Sequence, residues 1–258
     1  MADDPRLAYV QARVQARHGE RPDADDWRAA EASADLAHYL EALKRTGLQR
    51  WVADLAPEMA PEALERELRG AWLACVDEKA RWSPERWRPA VAWLRWLPYL
   101  PAIDHLLGPR KIPPWMRADP VLRPLAVEEP ARRRQALGEG PLAALDPGDA
   151  GEVRVVAAWL DEWRRRLPDG GEGQAAVLER LAGRVLEHLE AVRGTTGSAN
   201  PARLALREKL LRALRRQAGG MAAVFAHLGI AGLDLERARA GIMARRLLPD
   251  RAEGRTWA

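Results

Sequence analysis

Apolar residues recur every three or four positions in one segment of this chain after another, and proline or glycine separates most of the segments. Leu64, Leu68, Trp72 and Val76 show the pattern, which places their side chains on one face of a helix. Alanine, leucine, arginine and glutamate dominate the composition, whereas phenylalanine occurs once and tyrosine three times. The dominant residues favour helices, and strands favour β-branched and aromatic residues, so we predict an all-α fold.

Proline and glycine become frequent between about residues 108 and 148, and clear helical periodicity resumes after them. Proline lacks a backbone N–H and clashes with the preceding helical turn, so this region cannot continue a long helix. We therefore predict antiparallel helices in two lobes joined by this region. The expected ranges are an N-terminal lobe at 1–107, a Pro/Gly-rich connecting region at 108–148 and a C-terminal lobe at 149–258.

Start and stop signals predict individual helices of the N-terminal lobe. The first three long helices are expected at residues 4–18, capped by Asp3 or Asp4, at 25–45 and at 61–81. Ser83–Pro84–Glu85 combines a hydroxyl cap, a proline and an acid, which is typical of a further helix start. Pro98 and Pro101 predict a kink or break near Leu97–Tyr99.

The C-terminal lobe shows apolar stripes that predict four main helices. They are expected around Val153–Trp163, around Val177–Val192, from Asn200–Pro201 through Leu214, and over LDLERARAGIMARRLLP. The intervening DGGEG and GTTGSAN are typical of loops, as is the turn at Pro147–Gly148, and Pro249 is expected to begin a polar tail.

Cysteine, charge and hydropathy exclude several classes of protein. The single Cys75 rules out an intramolecular disulfide and a multi-cysteine metal site, and its apolar surroundings predict a buried side chain. No apolar run reaches the roughly 18–20 residues that cross a bilayer, and the N-terminus lacks the apolar core of a signal peptide. The net charge is only +4, with basic and acidic residues interleaved. We expect a soluble cytoplasmic protein without a nucleic-acid partner.

Motifs for catalysis, metals and cofactors are missing from the sequence. The five histidines form no HExxH motif and no pair at metal-ligand spacing. No phosphate-binding loop, GxGxxG fingerprint or GxSxG nucleophile elbow occurs. The short runs Arg132–Arg134 and Arg164–Arg166 have acids nearby and predict ordinary polar helix surfaces. We therefore expect a protein that is not an enzyme and that has no catalytic, metal-binding or cofactor-binding residue.

Tryptophan is concentrated in one part of the chain, because six of the eleven tryptophans lie between Trp72 and Trp115. Most of the tryptophans fall on apolar stripes, which favours core packing. Exposed members would instead mark an interface with another protein. The candidate partner surface consists of Trp82, Trp87, Trp96, Tyr99 and Trp115.

Five stretches resemble one known family. They are AYVQARVQARHGE at Ala8–Glu20, DDWRAAEASADLAHYLEALKRTGLQRWV at 25–52, LERELRGAWLACVDEK at Leu64–Lys79, WRPAVAWLRWLPYLPAIDHLL at 87–107 and AHLGIAGLDLERARAGIMARR near the end of the chain. The first is similar to the opening of the C/d subunit family of V-type and A-type ATPases, and the last to its closing helices. The resemblance covers about residues 7–107 and 222–247. The chain is shorter than usual members, which consist of three helical lobes, and is richer in tryptophan and proline at Trp72–Trp115.

The resemblance implies a non-catalytic subunit that couples the central stalk of a rotary ATPase to the membrane ring that translocates ions. Its partners would be protein subunits of the stalk and the ring, and it would be peripheral to the inner membrane only through them. Two other classes stay open. One is a soluble helical adaptor that binds another protein through the tryptophan-rich segment, and the other is an enzyme with an unfamiliar helical active site.

Overall fold

The computed structural model describes residues 5–146, 155–169, 172–194 and 200–248. These residues form helices and connecting turns, with no strand among them, so the predicted all-α class is confirmed. The predictions for Asp3 and Asp4, for Pro147–Gly148, for the GTTGSAN loop between its end residues and for the tail from Pro249 lie outside the described residues. The same holds for the middle of DGGEG.

The N-terminal helices are α1 (Pro5–Gly19), α2 (Ala24–Glu31), α3 (Leu36–Lys44), α4 (Gln49–Val52) and α5 (Pro61–Trp82). The single helix expected at 25–45 is therefore wrong, because α2 and α3 occupy this range. Asp35 starts the second of them: its backbone is extended and its side chain accepts a hydrogen bond from the backbone N–H of His38. An N-cap of this kind satisfies a donor that has no partner within the helix.

Short helices follow α5. They are a 3₁₀ turn at Glu85–Trp87, α6 (Arg88–Trp93), a 3₁₀ helix at Leu94–Tyr99, α7 (Leu100–Leu107), α8 (Pro114–Ala118), α9 (Pro130–Glu139) and a 3₁₀ turn at Ala143–Leu145. The α-helix ends before Pro98, as expected. The Ser83 hydroxyl donates to the carbonyl of Lys79 at the end of α5, and the 3₁₀ turn at Glu85–Trp87 begins two residues later. The remaining helices are α10 (Val155–Arg165), α11 (Glu172–Gly194), α12 (Asn200–Arg216) and α13 (Met221–Leu247).

The chain forms two compact units. The first unit comprises Met1–Glu85 together with Gly170–Ala258, and the second unit comprises Arg86–Asp169. These bounds differ from the three expected ranges for two reasons. Helix α13 packs against α1, α3 and α5, which assigns both ends of the chain to one core. Within the second unit, α7 packs against α9 and α10, so most of the expected connecting region has a core of its own.

Helix α13 is the centre of the first unit. Almost every residue from Met221 to Leu235 is buried, although the helix carries six charged residues from Asp234 onward. Helix α5 runs antiparallel to it, because Trp72 lies beside Gly232 and Glu65 pairs with Arg239. Helix α12 is also antiparallel to it, whereas α1 is parallel. A helix that is buried on all sides must pair its polar side chains with its neighbours.

Three glycines of α13 allow this close packing. Gly229 faces Leu210 and Gly232 faces Trp72, in each case at a distance where an added Cβ would touch the side chain. Gly241 lies so close to the phenol of Tyr39 that a Cβ there would collide with it. Tyr39 is fully buried and its ring also packs under the guanidinium of Arg245, with 4.1 Å from Cζ to the ring centre. The phenol therefore has no space into which it can move.

We expect Gly241→Ala to lower the free energy of unfolding by about 1–3 kcal/mol, the usual cost of overpacking a core. The matched control is Gly70→Ala, because Gly70 is exposed in the middle of α5 and a Cβ there would have no neighbour within 4 Å. This second change should raise the free energy of unfolding by roughly 0.5–1 kcal/mol through helix propensity. Urea denaturation of both variants measures the change in the free energy of unfolding. If the two substitutions changed it in the same direction, the packing of Gly241 against Tyr39 would be contradicted.

The second unit is held together by a buried arginine. Arg133 of α9 is only 6% exposed, and its guanidinium donates to the carbonyl oxygens of Leu106, Val127 and Glu128. The two bonds to Val127 measure 3.1 Å from Nε and 2.8 Å from Nη2. The prediction that Arg132–Arg134 forms an ordinary polar surface is therefore wrong at its middle residue. On a helix, adjacent residues point to different faces, and Arg133 lies on the same side as the buried Leu137.

Candidate functional site

The five residues of the expected partner surface differ in exposure. Trp82, Trp87 and Tyr99 are buried, whereas Trp96 and Trp115 are half-buried. Trp82 belongs to the first unit and the other four belong to the second. The ring of Trp82 is covered by the guanidinium of Arg13, whose Cζ lies 4.7 Å from the ring centre. Within this set, Trp96 and Trp115 are the members that keep accessible surface for a partner.

A buried charged cluster surrounds Asp234 in the centre of α13. The carboxylate is 2% exposed and accepts hydrogen bonds from Arg21 Nε at 2.6 Å, from Arg21 Nη2 at 2.8 Å and from Arg207 Nη1 at 3.2 Å. Burial raises the pKa of Asp234, and the two guanidinium groups act in the opposite direction. The cluster joins α12 and the segment after α1 to α13, and its bidentate geometry favours the ionised carboxylate.

A second group of contacts ties the end of α13 to the N-terminal helices. Arg237 donates to both carboxylate oxygens of Glu31 at 2.7 Å. Arg245 donates to the carbonyl oxygens of Glu31, the last residue of α2, and of Ser33, two residues beyond it. Because these carbonyls have no partner within their own helix, the arginine satisfies them as a helix C-cap. Arg246 makes a similar bond to the carbonyl of Met59.

A third contact joins α11 and α12 to the same helix. Glu236 accepts from Arg203 at 3.1 Å and lies 3.3 Å from Nε2 of His188. Burial acts to raise the pKa of Glu236, but His188 and Arg203 outweigh it and lower that pKa below its ordinary value. The charged residues of α13 thus reach helices on several sides, and we refer to Asp234, Glu236, Arg237 and Arg245 as the α13 polar belt.

Basic side chains are buried between α1, α5 and α13. Lys79 is 1% exposed, and its ammonium group donates to the carboxylate of Glu78 at 2.7 Å. The ring of His227 packs edge-to-face against that of His18, with 6.1 Å between the ring centres. Burial lowers the pKa of His227 to about 3, and the positive charges of Lys79 and other nearby groups add to this. Both imidazoles are therefore expected to stay neutral near pH 7.

We expect acid to destabilise the first unit through His227. The unfolded chain takes up a proton near the ordinary imidazole pKa of 6.5, whereas the folded protein does so only at about 3. Between these values the unfolded state binds more protons, so stability is complete above about pH 6.5 and falls as the pH decreases towards 3. The loss at pH 5 is about 2 kcal/mol. Urea denaturation at pH 7 and at pH 5 measures this loss of stability. The loss should be smaller in His227→Met, and an equal loss in that variant would show that His227 is not its cause.

The described residues offer no cluster of metal ligands, and their one cysteine is buried. Within residues 5–146, 155–169, 172–194 and 200–248 there is no group of three His, Cys, Asp or Glu side chains placed to hold a metal ion. Cys75 is buried, as the sequence predicted, and burial raises the pKa of its thiol, the reverse of what activates a nucleophile. None of the described helices is long and apolar enough to cross a bilayer.

Sequence reasoning missed the polar belt, although one signal was present. Asp234 lies four residues after Ile230 and four before Ala238, and both of these are buried. An acid within an apolar stripe at helical spacing points to a buried, paired carboxylate. Its arginine partners lie 213 and 27 residues away, and nothing in the sequence pairs them with it.

Comparisons with known proteins identify no relative of this chain. No family model, no curated protein and no solved structure matches the chain.

Proposed function

We propose that the chain is a non-catalytic helical protein similar to the C/d subunit family of rotary ATPases, whose members couple the central stalk to the membrane ring that translocates ions. In this role the protein binds stalk and ring subunits and reaches the inner membrane only through them. It works in the cytoplasm and needs no cofactor of its own.

One observation carries the proposal. The opening and closing stretches that resemble the family lie more than 200 residues apart in sequence, yet α1 and α13 pack against each other in the first unit. The ring of His18 in the opening stretch packs edge-to-face against the ring of His227 in the closing stretch, with 6.1 Å between the ring centres. The two stretches therefore form one structural element, as expected if they were retained together for one purpose.

The polar belt supports a mechanical role. A protein that couples stalk to ring transmits force between two partners, so its helices must resist sliding past one another. Ion pairs and buried hydrogen bonds join α13 to its neighbours, with Asp234, Glu236 and Arg237 within one turn and Arg245 about two turns later. Each ion pair holds two side chains from different segments in one geometry. Displacing the helices by one turn would therefore leave buried charges unpaired.

Affinity purification of the tagged protein from membranes of its native host tests the proposal. The stalk and ring subunits of a rotary ATPase should be recovered with it in fixed stoichiometry, and they should dissociate together when the complex is disrupted. A tagged Gly70→Ala variant is a suitable control, because this exposed change leaves the fold intact. Recovery of the folded protein without any rotary ATPase subunit would exclude the role.

The second candidate function is a soluble adaptor that binds another protein through the tryptophan-rich segment. The partial exposure of Trp96 and Trp115 favours it, because half-buried aromatic rings are typical anchors of protein interfaces. Acrylamide quenching of the protein and of its Trp96→Phe and Trp115→Phe variants, with and without a captured partner, tests this function. If binding shields Trp96 and Trp115, quenching of the unsubstituted protein falls on binding, which supports an adaptor. Unchanged quenching excludes this surface.

A further inference from the structure

The cluster around Asp234 contains more positive than negative charge. One carboxylate pairs with two guanidinium groups, those of Arg21 and Arg207. The charge of Arg237 also lowers the pKa of Arg207, but Arg237 itself is paired with Glu31. Burial lowers the pKa of the Arg207 guanidinium; Asp234 opposes this effect, whereas Arg21 and Arg237 add to it. Arg207 is thus the member of the cluster whose charge is least compensated.

The geometry of Arg207 leaves one edge of its guanidinium open. Nη1 donates to Asp234 at 3.2 Å, while Nε and Nη2 have no acceptor among the groups whose placement the structure describes. The side chain is 23% exposed, so part of it reaches solvent although Nη1 is anchored to the buried Asp234. Nε and Nη2 point in parallel and match the two oxygens of a carboxylate or phosphate.

Further positive charge lies on the same side. His18, beside the end of α1, is influenced by Arg21, Arg207 and Arg215, all of which lower its pKa in addition to burial. Arg215 is exposed in the last turn of α12, two turns after Arg207 on the same helix. The guanidinium groups of Arg21, Arg207 and Arg215 therefore form a local positive field around His18, and such a field attracts anions.

We propose that the open edge of Arg207 is an oxyanion-binding site, anchored by Asp234 and assisted by Arg215. The ligand is a group with two neighbouring oxygens, either free phosphate or a glutamate or aspartate side chain of a partner protein. The site does not depend on the rotary ATPase role, since it follows from the contacts of one residue.

The test measures thermal unfolding midpoints in about 50 mM inorganic phosphate and in NaCl of equal ionic strength, for the parent protein and three variants. Arg207→Gln removes the edge and leaves Arg21 paired with Asp234 at balanced charge, so the variant should fold. Arg207→Lys keeps the charge but lacks the fork. Arg212→Gln is the matched control, because Arg212 is exposed on the same helix and contacts Glu208. A parallel series uses hexaglutamate peptide in place of phosphate.

Phosphate should raise the midpoint of the parent protein and of Arg212→Gln by about 3 °C more than NaCl does. This extra shift should be absent in Arg207→Gln and reduced in Arg207→Lys. A shift with phosphate alone identifies free oxyanion as the ligand, and a larger shift with hexaglutamate identifies a protein carboxylate. Equal shifts in the parent and in Arg207→Gln with both probes would overturn the proposal, whatever the outcome of the membrane purification.

Discussion

Asp234→Ala is expected to lower the free energy of unfolding by about 3–5 kcal/mol, because it leaves Arg21 and Arg207 without their shared buried carboxylate. The loss is large because the side chain of Arg21 is itself mostly buried and cannot turn to water without moving the segment after α1. Urea denaturation followed by circular dichroism measures it. The effect should be smaller when Arg207 is also changed to Gln, since one of the two unpaired charges is then absent.

The control for this prediction is Glu208→Ala, which removes an acid from the neighbouring α12. Glu208 is 78% exposed and lies 3.8 Å from Arg212, so this exposed pair should contribute less than about 1 kcal/mol. Similar losses in the two variants would show that Asp234 is not the centre of a buried cluster.

Arg133→Met should destabilise the second unit by about 3 kcal/mol. The methionine fills part of the volume, but the carbonyl oxygens of Leu106, Val127 and Glu128 lose their donors inside the protein. Because these carbonyls lie at the end of α7 and just before α9, the junction between the two helices should loosen first. Hydrogen exchange of the second unit, followed by mass spectrometry, measures where the protection is lost.

Arg134→Met is the matched control, because the residue is adjacent and exposed. It changes the charge by the same amount and should leave the protection of α7 and α9 unchanged, within about 0.5 kcal/mol. Equal effects of the two substitutions would attribute the role of Arg133 to net charge rather than to its carbonyl contacts.

The sequence was sufficient for properties that depend on local pattern. Helical spacing and composition predicted the all-α class, and the break predicted from Pro98 lies within the 3₁₀ helix at Leu94–Tyr99 that separates α6 from α7. Ser83 makes a contact that local reasoning did not predict, because its hydroxyl donates back to the Lys79 carbonyl at the end of α5. A hydroxyl that follows a helix is able to bond to the preceding turn, and sequence alone does not settle whether that bond forms.

Contacts between distant residues were not predictable in the same way. The Arg132–Arg134 run looks like any polar surface until the carbonyls near its middle residue are known. Likewise, Asp234 and Arg21 belong to segments separated by most of the chain, and a single sequence does not pair them. The bounds of the two units depend on such contacts, so they could not follow from proline and glycine content.

The central position of α13 has a consequence for synthesis on the ribosome. The core of the first unit needs α13, which emerges long after α1, α3 and α5, so the apolar faces of these three helices stay exposed until then. At typical rates of translation this wait lasts roughly ten seconds or more. The second unit, whose residues are consecutive, is able to fold during that time. A nascent chain truncated before residue 221 should therefore bind chaperones and be degraded faster than the full-length protein.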